Sequence, residues 1–215
     1  MAATKKSGNC YLCGQTLGAI AMKNHLLKEH ASTGDEACFL LKIEGAYAKN
    51  YWLFVDVEKN KTLNSLDEFL RDIWLECCGH LSAFQGPTGE VGKARKLSAF
   101  AVGDKLLHEY DFGSTTECLL TIVGETRRPK QKKAVRLLAR NEPPVWKCAS
   151  CGQPAEFICA ECICETENAD FCAACAEEHE HEFLLPITNS PRSGVCGYDC
   201  EMDDYAFDPK KLQKK

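Results

Sequence analysis

Fifteen of the 215 residues are cysteines, and their spacing carries the chemistry. Near the start, Cys10-x2-Cys13 is followed after eleven residues by His25-x4-His30. Later, Cys148-x2-Cys151, Cys159-x2-Cys162 and Cys172-x2-Cys175 lead into His179-x-His181. A C-x2-C turn presents two sulfurs from one knuckle, a helix can present two imidazoles on one face, and four such donors complete a tetrahedral zinc shell. These twelve residues therefore predict about three zinc ions per chain. A full set of four protein ligands leaves no open coordination position for substrate, so no residue is assigned a catalytic role and an enzyme is not the expected reading. Met1–Ser7 is polar and carries no apolar stretch behind it, unlike a secretory signal. The expectation is a cytoplasmic chain whose thiols stay reduced and serve as ligands rather than disulfides. No run approaches the ~18 apolar residues of a membrane span, so no membrane partner is expected.

Four segments must position these donors: 1–34 with the first cluster, 35–140 as a core, 141–186 with the dense Cys/His cluster, and a polar tail at 187–215. In the first, Ala19–His30 reads as a helix, and Leu17 and Met22 sit where a small finger needs its apolar plug. The segment resembles the two-Cys, two-His zinc fingers. It departs from them in having Leu17 for the usual aromatic and one residue fewer before the first histidine. A segment this small cannot fold on burial alone, so metal would supply most of its stability. Lys5, Lys6, Lys23 and Lys28 against Glu29 give it a net charge near +3.

The order of pairs in 141–186 resembles the B-box and related cross-brace zinc families. That resemblance implies that the first and third pairs share one metal, Cys148, Cys151, Cys172 and Cys175. The second and fourth would share another, Cys159, Cys162, His179 and His181. Two alternatives stay open: Cys164 in place of Cys162, and Cys196 or Cys200 in place of a histidine. Phe157, Ile158 and Phe171 would form a minimal apolar filling. Residues 145–185 contain one basic residue, Lys147, against nine acidic ones. Such a surface repels phosphate, which favours a protein partner for this module.

In the core, Tyr51–Val57 is aromatic and β-branched and predicts a strand. Ser65 with Glu68 matches a capping box, and Leu66, Phe69, Leu70, Ile73 and Trp74 recur at helical spacing, with Gly79 ending the helix. Leu81–Gln85, Lys105–Asp111, Thr116–Val123 and Val135–Ala139 read as further strands, the middle two joined by a turn at Phe112-Gly113-Ser114. Strands around one main helix, without βαβ alternation, predict an α+β core with a mainly antiparallel sheet, flanked by two small zinc-binding modules. The segments Tyr51-Trp-Leu-Phe-Val-Asp-Val, Leu63-Asn-Ser-Leu-Asp-Glu-Phe-Leu-Arg-Asp-Ile-Trp, Gly79-His-Leu-Ser-Ala-Phe and Glu109-Tyr-Asp-Phe-Gly-Ser-Thr-Thr-Glu resemble the plasmid pRiA4b ORF-3-like family. The resemblance implies a prokaryotic α+β domain, some members being filed as mobile-element passengers under a resolvase-like name. The chain has no serine set among the arginines that recombination would require.

Three further groups weigh on function. Cys77, Cys78 and His80 offer a metal or thiol site. Adjacent cysteines on a helix point about 100° apart, however, and free cysteine is among the most buried residues, so core burial is the expected role. His108 and Glu109 lie on opposite faces of a strand and do not read as an acid–base pair. Arg127, Arg128, Lys130, Lys132, Lys133, Arg136 and Arg140 form a basic run, the one segment suited to a phosphate footprint. Of these, Arg127, Arg128, Lys130, Lys132 and Lys133 are the candidate nucleic-acid contacts. The leading expectation is a zinc-binding interaction or adaptor protein with a protein partner. Nucleic-acid binding through the finger and residues 127–140 is the alternative, and a Cys/His-dependent enzyme ranks third.

Overall fold

A computed structural model of the chain describes residues 7–166, 169–199 and 204–212. Lys5, Lys6, Glu167 and Cys200 lie outside the described residues. In chain order the elements are β1 (Ser7–Cys10), β2 (Thr16–Gly18), α1 (Ala19–Glu29), β3 (Glu36–Gly45), β4 (Trp52–Glu58), α2 (Leu63–Leu70), β5 (Ser82–Gly86), β6 (Gly89–Val91), β7 (Lys105–Tyr110), β8 (Thr116–Arg128) and β9 (Val135–Asn141). Then follow β10 (Phe157–Cys159), α3 (Cys162–Glu165), β11 (Asp170–Phe171), α4 (Ala173–Glu177) and β12 (Leu184–Pro186).

The first nine strands make one antiparallel sheet in the order β2-β1-β9-β4-β3-β8-β7-β5-β6. The α+β class expected from the sequence is thus observed. The central strands are apolar on both faces because both faces are covered. Phe39, Leu41, Ile43, Leu53, Val55 and Val57 pack with Leu66, Phe69, Leu70, Ile73 and Trp74 of the helical segment that begins with α2. Their neighbours Leu40, Trp52 and Phe54 point the other way and pack with Met22 and Leu26 of α1. This is the period-two alternation of a strand, and fully burying one such side chain contributes about 1.5–3 kcal/mol. The segment carrying the first cysteine pair is built into the sheet through β1, whose Gly8, Asn9 and Cys10 pair with Asn141, Arg140 and Ala139 of β9.

Local details depart from the sequence expectations. α2 begins three residues earlier than the Ser65 cap implies, with Thr62 at the cap position. No Ser65–Glu68 capping box forms; Glu68 accepts from Asn64 Nδ2 at 2.7 Å. The helix widens into a π-helical turn at Arg71–Leu75, and Glu76 is already extended. The expected end at Gly79 is therefore several residues late. β3 has no counterpart among the expected strands, although it contributes Phe39, Leu41 and Ile43 to the core. β10, β11 and β12 form a separate three-stranded sheet in the order β11-β10-β12. Phe171 and Ala176 are buried beside it among the cysteines, with Phe157 and Leu184 packed against them. No described helix is long and apolar enough to cross a membrane.

Candidate metal centres

The turn between β1 and β2 is a knuckle: Cys10 N–H donates to Gln15 O and Gly14 N–H to Cys10 O, both at 2.8 Å. It places Cys10 and Cys13 opposite His25 and His30, which lie on one side of α1 and at its C-terminal end. Cys13 Sγ is 3.2 Å from His25 Nε2, and His25 Nε2 is 3.2 Å from His30 Nε2. Burial pushes the Cys10 thiol up to about 11.

The dense cluster resolves into two groups. Cys148, Cys151, Cys172 and Cys175 converge in one; Cys159, Cys162, His179 and His181 converge in the other. Within each group one donor atom from every residue lies within 4.8 Å of the others. Cys151 and Cys172 sulfurs are 3.6 Å apart, and Cys162 Sγ lies 3.4 Å from His179 Nε2 and 3.3 Å from His181 Nδ1. A tetrahedral zinc with ordinary bond lengths has edges of about 3.8 Å between sulfurs, about 3.6 Å from sulfur to nitrogen and about 3.3 Å between nitrogens. The observed separations sit close to these edges. Cys164 stands outside the group, its thiol 3.7 Å from Ala160 O.

Electrostatics within the groups favour a cation. Burial raises Cys148, but backbone N–H groups of Cys172, Cys151 and Ser150 outweigh it and bring the thiol down to about 6. Cys159 is likewise brought down to about 6, against burial, by the Cys162 backbone and the His179 side chain among others. The neighbours then resist ionising: Cys172 and Cys151 push Cys175 up to about 12, while burial and Cys159 push Cys162 up to about 11. Several thiolates at van der Waals distance repel, and a divalent cation is what allows all of them to ionise together. All described cysteines are free of disulfides.

A fourth convergence was not expected from the sequence. Cys77, Cys78 and His80 meet Cys196, again with donor atoms within 4.8 Å of one another. The core-burial expectation fails because the helix has ended before Cys77, so the two side chains are not splayed on helical geometry. Cys78 is exposed and Cys77 only half-buried. The bunching in Glu-Cys-Cys-Gly-His was a visible signal; its fourth donor, 116 residues away from His80, was not.

The remaining candidates separate by burial. Arg128 is fully buried and donates to Asp56 Oδ1 at 2.5 Å, Glu58 Oε1 at 3.1 Å and the carbonyls of Lys133 and Ala134 at 2.9 Å. Arg136 also pairs with Asp56 through Nε at 2.9 Å. These two arginines of the basic run are thus committed to carboxylates within the fold. Lys130, Lys132 and Arg127 are exposed, with Lys133 in the same loop; Arg127 donates to Asp35 O at 2.8 Å. His108 pairs with Asp67 rather than Glu109, its Nε2 2.8 Å from Asp67 Oδ1. Asp67 also accepts from Ser82 at 2.6 Å, Lys93 at 2.9 Å and Arg71 at 3.2 Å.

No family model matches the chain. No curated protein sequence matches it. Among solved structures, it is similar to a protein of unknown function from Methanosarcina mazei Go1 at 20% identity, covering 48% of this chain and 67% of that one, with a TM-score of 0.39.

Proposed function

We propose that this is a non-enzymatic, multi-zinc interaction protein in which zinc centres brace and extend an α+β core. The observation that carries the reading is the repeated donor set: three groups of four cysteines and histidines, each with donor atoms within 4.8 Å of one another and neighbouring donors at 3.2–3.6 Å, near the edges of a closed tetrahedron. Thiolate and imidazole donors in fours select zinc among the common divalent ions and leave no position for a reacting water. On this reading the segment 35–140 is a pRiA4b ORF-3-like domain of prokaryotic, mobile-element-associated origin, supported by the sequence segments that resemble that family.

The double-metal module is the contact surface. Its acidic residues exclude phosphate, and a module with one all-cysteine centre would carry still more negative charge. A basic protein surface fits it. The nucleic-acid alternative loses Arg128 and Arg136 to ion pairs within the fold and the buried Arg140 to the Asn189 carbonyl, and retains Arg127, Lys130, Lys132 and Lys133.

Metal content with thiol titration before and after chelation tests the zinc reading; thiols that react fully in the untreated, reduced protein would overturn it. For the contact surface, Glu177, Glu178, Glu180 and Glu182 are changed together to Gln. A partner captured by the wild type and lost by this variant supports the reading. Unchanged capture, or oligonucleotide binding that falls steeply with salt and weakens on reversing Lys130, Lys132 and Lys133, overturns it.

A further inference from the structure

The segment after β12 reads as a polar tail, yet it is threaded into the fold. Ser190 Oγ donates to Trp74 O at 2.6 Å. Arg192 is completely buried and donates to Asp111 Oδ2 at 2.7 Å, Thr116 Oγ1 at 3.0 Å and Ser114 O at 3.1 Å, with its guanidinium 4.8 Å from the Tyr110 ring centroid. Gly194, at φ +81, lies so close to the double-metal module that a Cβ there would come within 3.0 Å of Ile158 Cγ2. The segment is therefore wedged between core and module, and Arg192 fixes where the next turn emerges.

That turn delivers Cys196 to the end of the π-helical segment. Cys196 Sγ lies 3.3 Å from His80 Nε2, which is 2.9 Å from Cys78 Sγ; the sulfurs of Cys77 and Cys78 are 3.6 Å apart. Two features allow adjacent cysteines to face one point: the helix ends at Leu75, and Gly79 turns the chain with φ +82, so that His80 folds back beside Cys78. Cys196 itself has φ +51, a left-handed conformation that non-glycine residues adopt when their surroundings impose it. Arg192 Nη2 also lies 3.4 Å from Cys77 Sγ, a charge-assisted donor to a ligand sulfur. Three thiolates with one imidazole is an established structural zinc set, and Arg192 stands beside it as the shared partner of Cys77 and of Asp111, whose Oδ2 lies 3.5 Å from His80 Nε2.

We propose that Cys77, Cys78, His80 and Cys196 form a fourth zinc centre, which clasps the segment following the double-metal module onto the core. It rests on the preceding reading only for the identity of the metal. The ion joins one loop of the core to a segment that also touches Ile158, so it fixes the module against the core, whereas each of the other three centres closes within its own stretch of chain.

The test is native mass spectrometry of the full chain, reduced and zinc-saturated, beside the variants Cys196→Ser and Cys78→Ser. Both positions are exposed, so neither substitution opens the core. Four zinc ions in the wild type and three in each variant is the expected result. In addition, chymotryptic cleavage after the buried Tyr198 should accelerate about ten-fold or more in Cys196→Ser as the segment opens locally. Three ions in all three proteins overturns the proposal while leaving the other centres standing; fewer than three in the wild type instead overturns the preceding reading. Four ions in all proteins places the extra ion elsewhere and also overturns it. A wild type two mass units light through a Cys77–Cys78 disulfide under reducing conditions does the same.

Discussion

Replacing Arg128 with Ala separates a structural arginine from a nucleic-acid contact. The side chain is fully buried, donates to Asp56 and Glu58, and satisfies the carbonyls of Lys133 and Ala134. Removing one partner of a buried ion pair costs about 3–5 kcal/mol, because the remaining charge stays desolvated. Here Asp56 keeps Arg136, and Glu58 keeps Lys61 at 3.7 Å, which places the expected loss near the lower end, about 3 kcal/mol. Equilibrium urea unfolding at fixed free zinc, followed through the fluorescence of the core residues Trp52 and Trp74, reads this loss directly. The exposed neighbours Arg127, Lys130 and Lys132 should each change stability by less than about 0.5 kcal/mol when replaced by Ala. An Arg128→Ala protein as stable as the wild type would refute the argument and return Arg128 to the candidate phosphate contacts.

Trp74→Ala, which empties a fully buried position where α2 continues beneath the sheet, should cost about 3–5 kcal/mol in urea unfolding followed through the remaining tryptophans. Chelation at neutral pH should strip protection from the amides of 148–181 while those of β3, β4 and β8 stay protected; equal loss everywhere would contradict the division of labour between metal and core. Burial holds His108 below its ordinary range, and Asp67 is held far below the usual carboxylate range, its His108, Ser82 and Lys93 hydrogen bonds overcoming its own burial. Both folded values are depressed, so both contributions are complete above the unfolded values, about 6.5 and about 3.9, and are lost as pH falls below them. Relative to His108→Gln, the wild type should therefore lose stability on acidification from about pH 6.5, by at most about 1.4 kcal/mol per pH unit; parallel pH profiles of the two proteins would refute this.

What the sequence showed depended on how local each signal is. Cys10, Cys13, His25 and His30 lie close along the chain, so their order and spacing were readable before any fold was known. In the dense module, the resemblance to the cross-brace families implied the alternate grouping in which the side chains converge. The fourth convergence combines a local bunch at 77–80 with a cysteine 116 residues from His80, and no local spacing rule spans that distance. Taking Cys77 and Cys78 as helical hid it further, because the π-helical turn and extended Glu76 that free them depend on tertiary packing. Arg128 and Arg136 read as part of a phosphate-binding run because Asp56, which neutralises both, lies 72 and 80 residues away in β4. The central strand β4 was legible from its aromatic and β-branched composition while β3 was not read, and the start of α2 was misread because Ser65 offered a plausible cap inside the helix.

If the Cys/His groups are closed zinc centres, anomalous diffraction across the zinc absorption edge locates the ions in place. Closed coordination requires a peak within each of the groups Cys10/Cys13/His25/His30, Cys148/Cys151/Cys172/Cys175 and Cys159/Cys162/His179/His181, with four protein donors at about 2.0–2.3 Å. Absence of anomalous signal from zinc-replete crystals, or a shell open to solvent at any of the three, would contradict it.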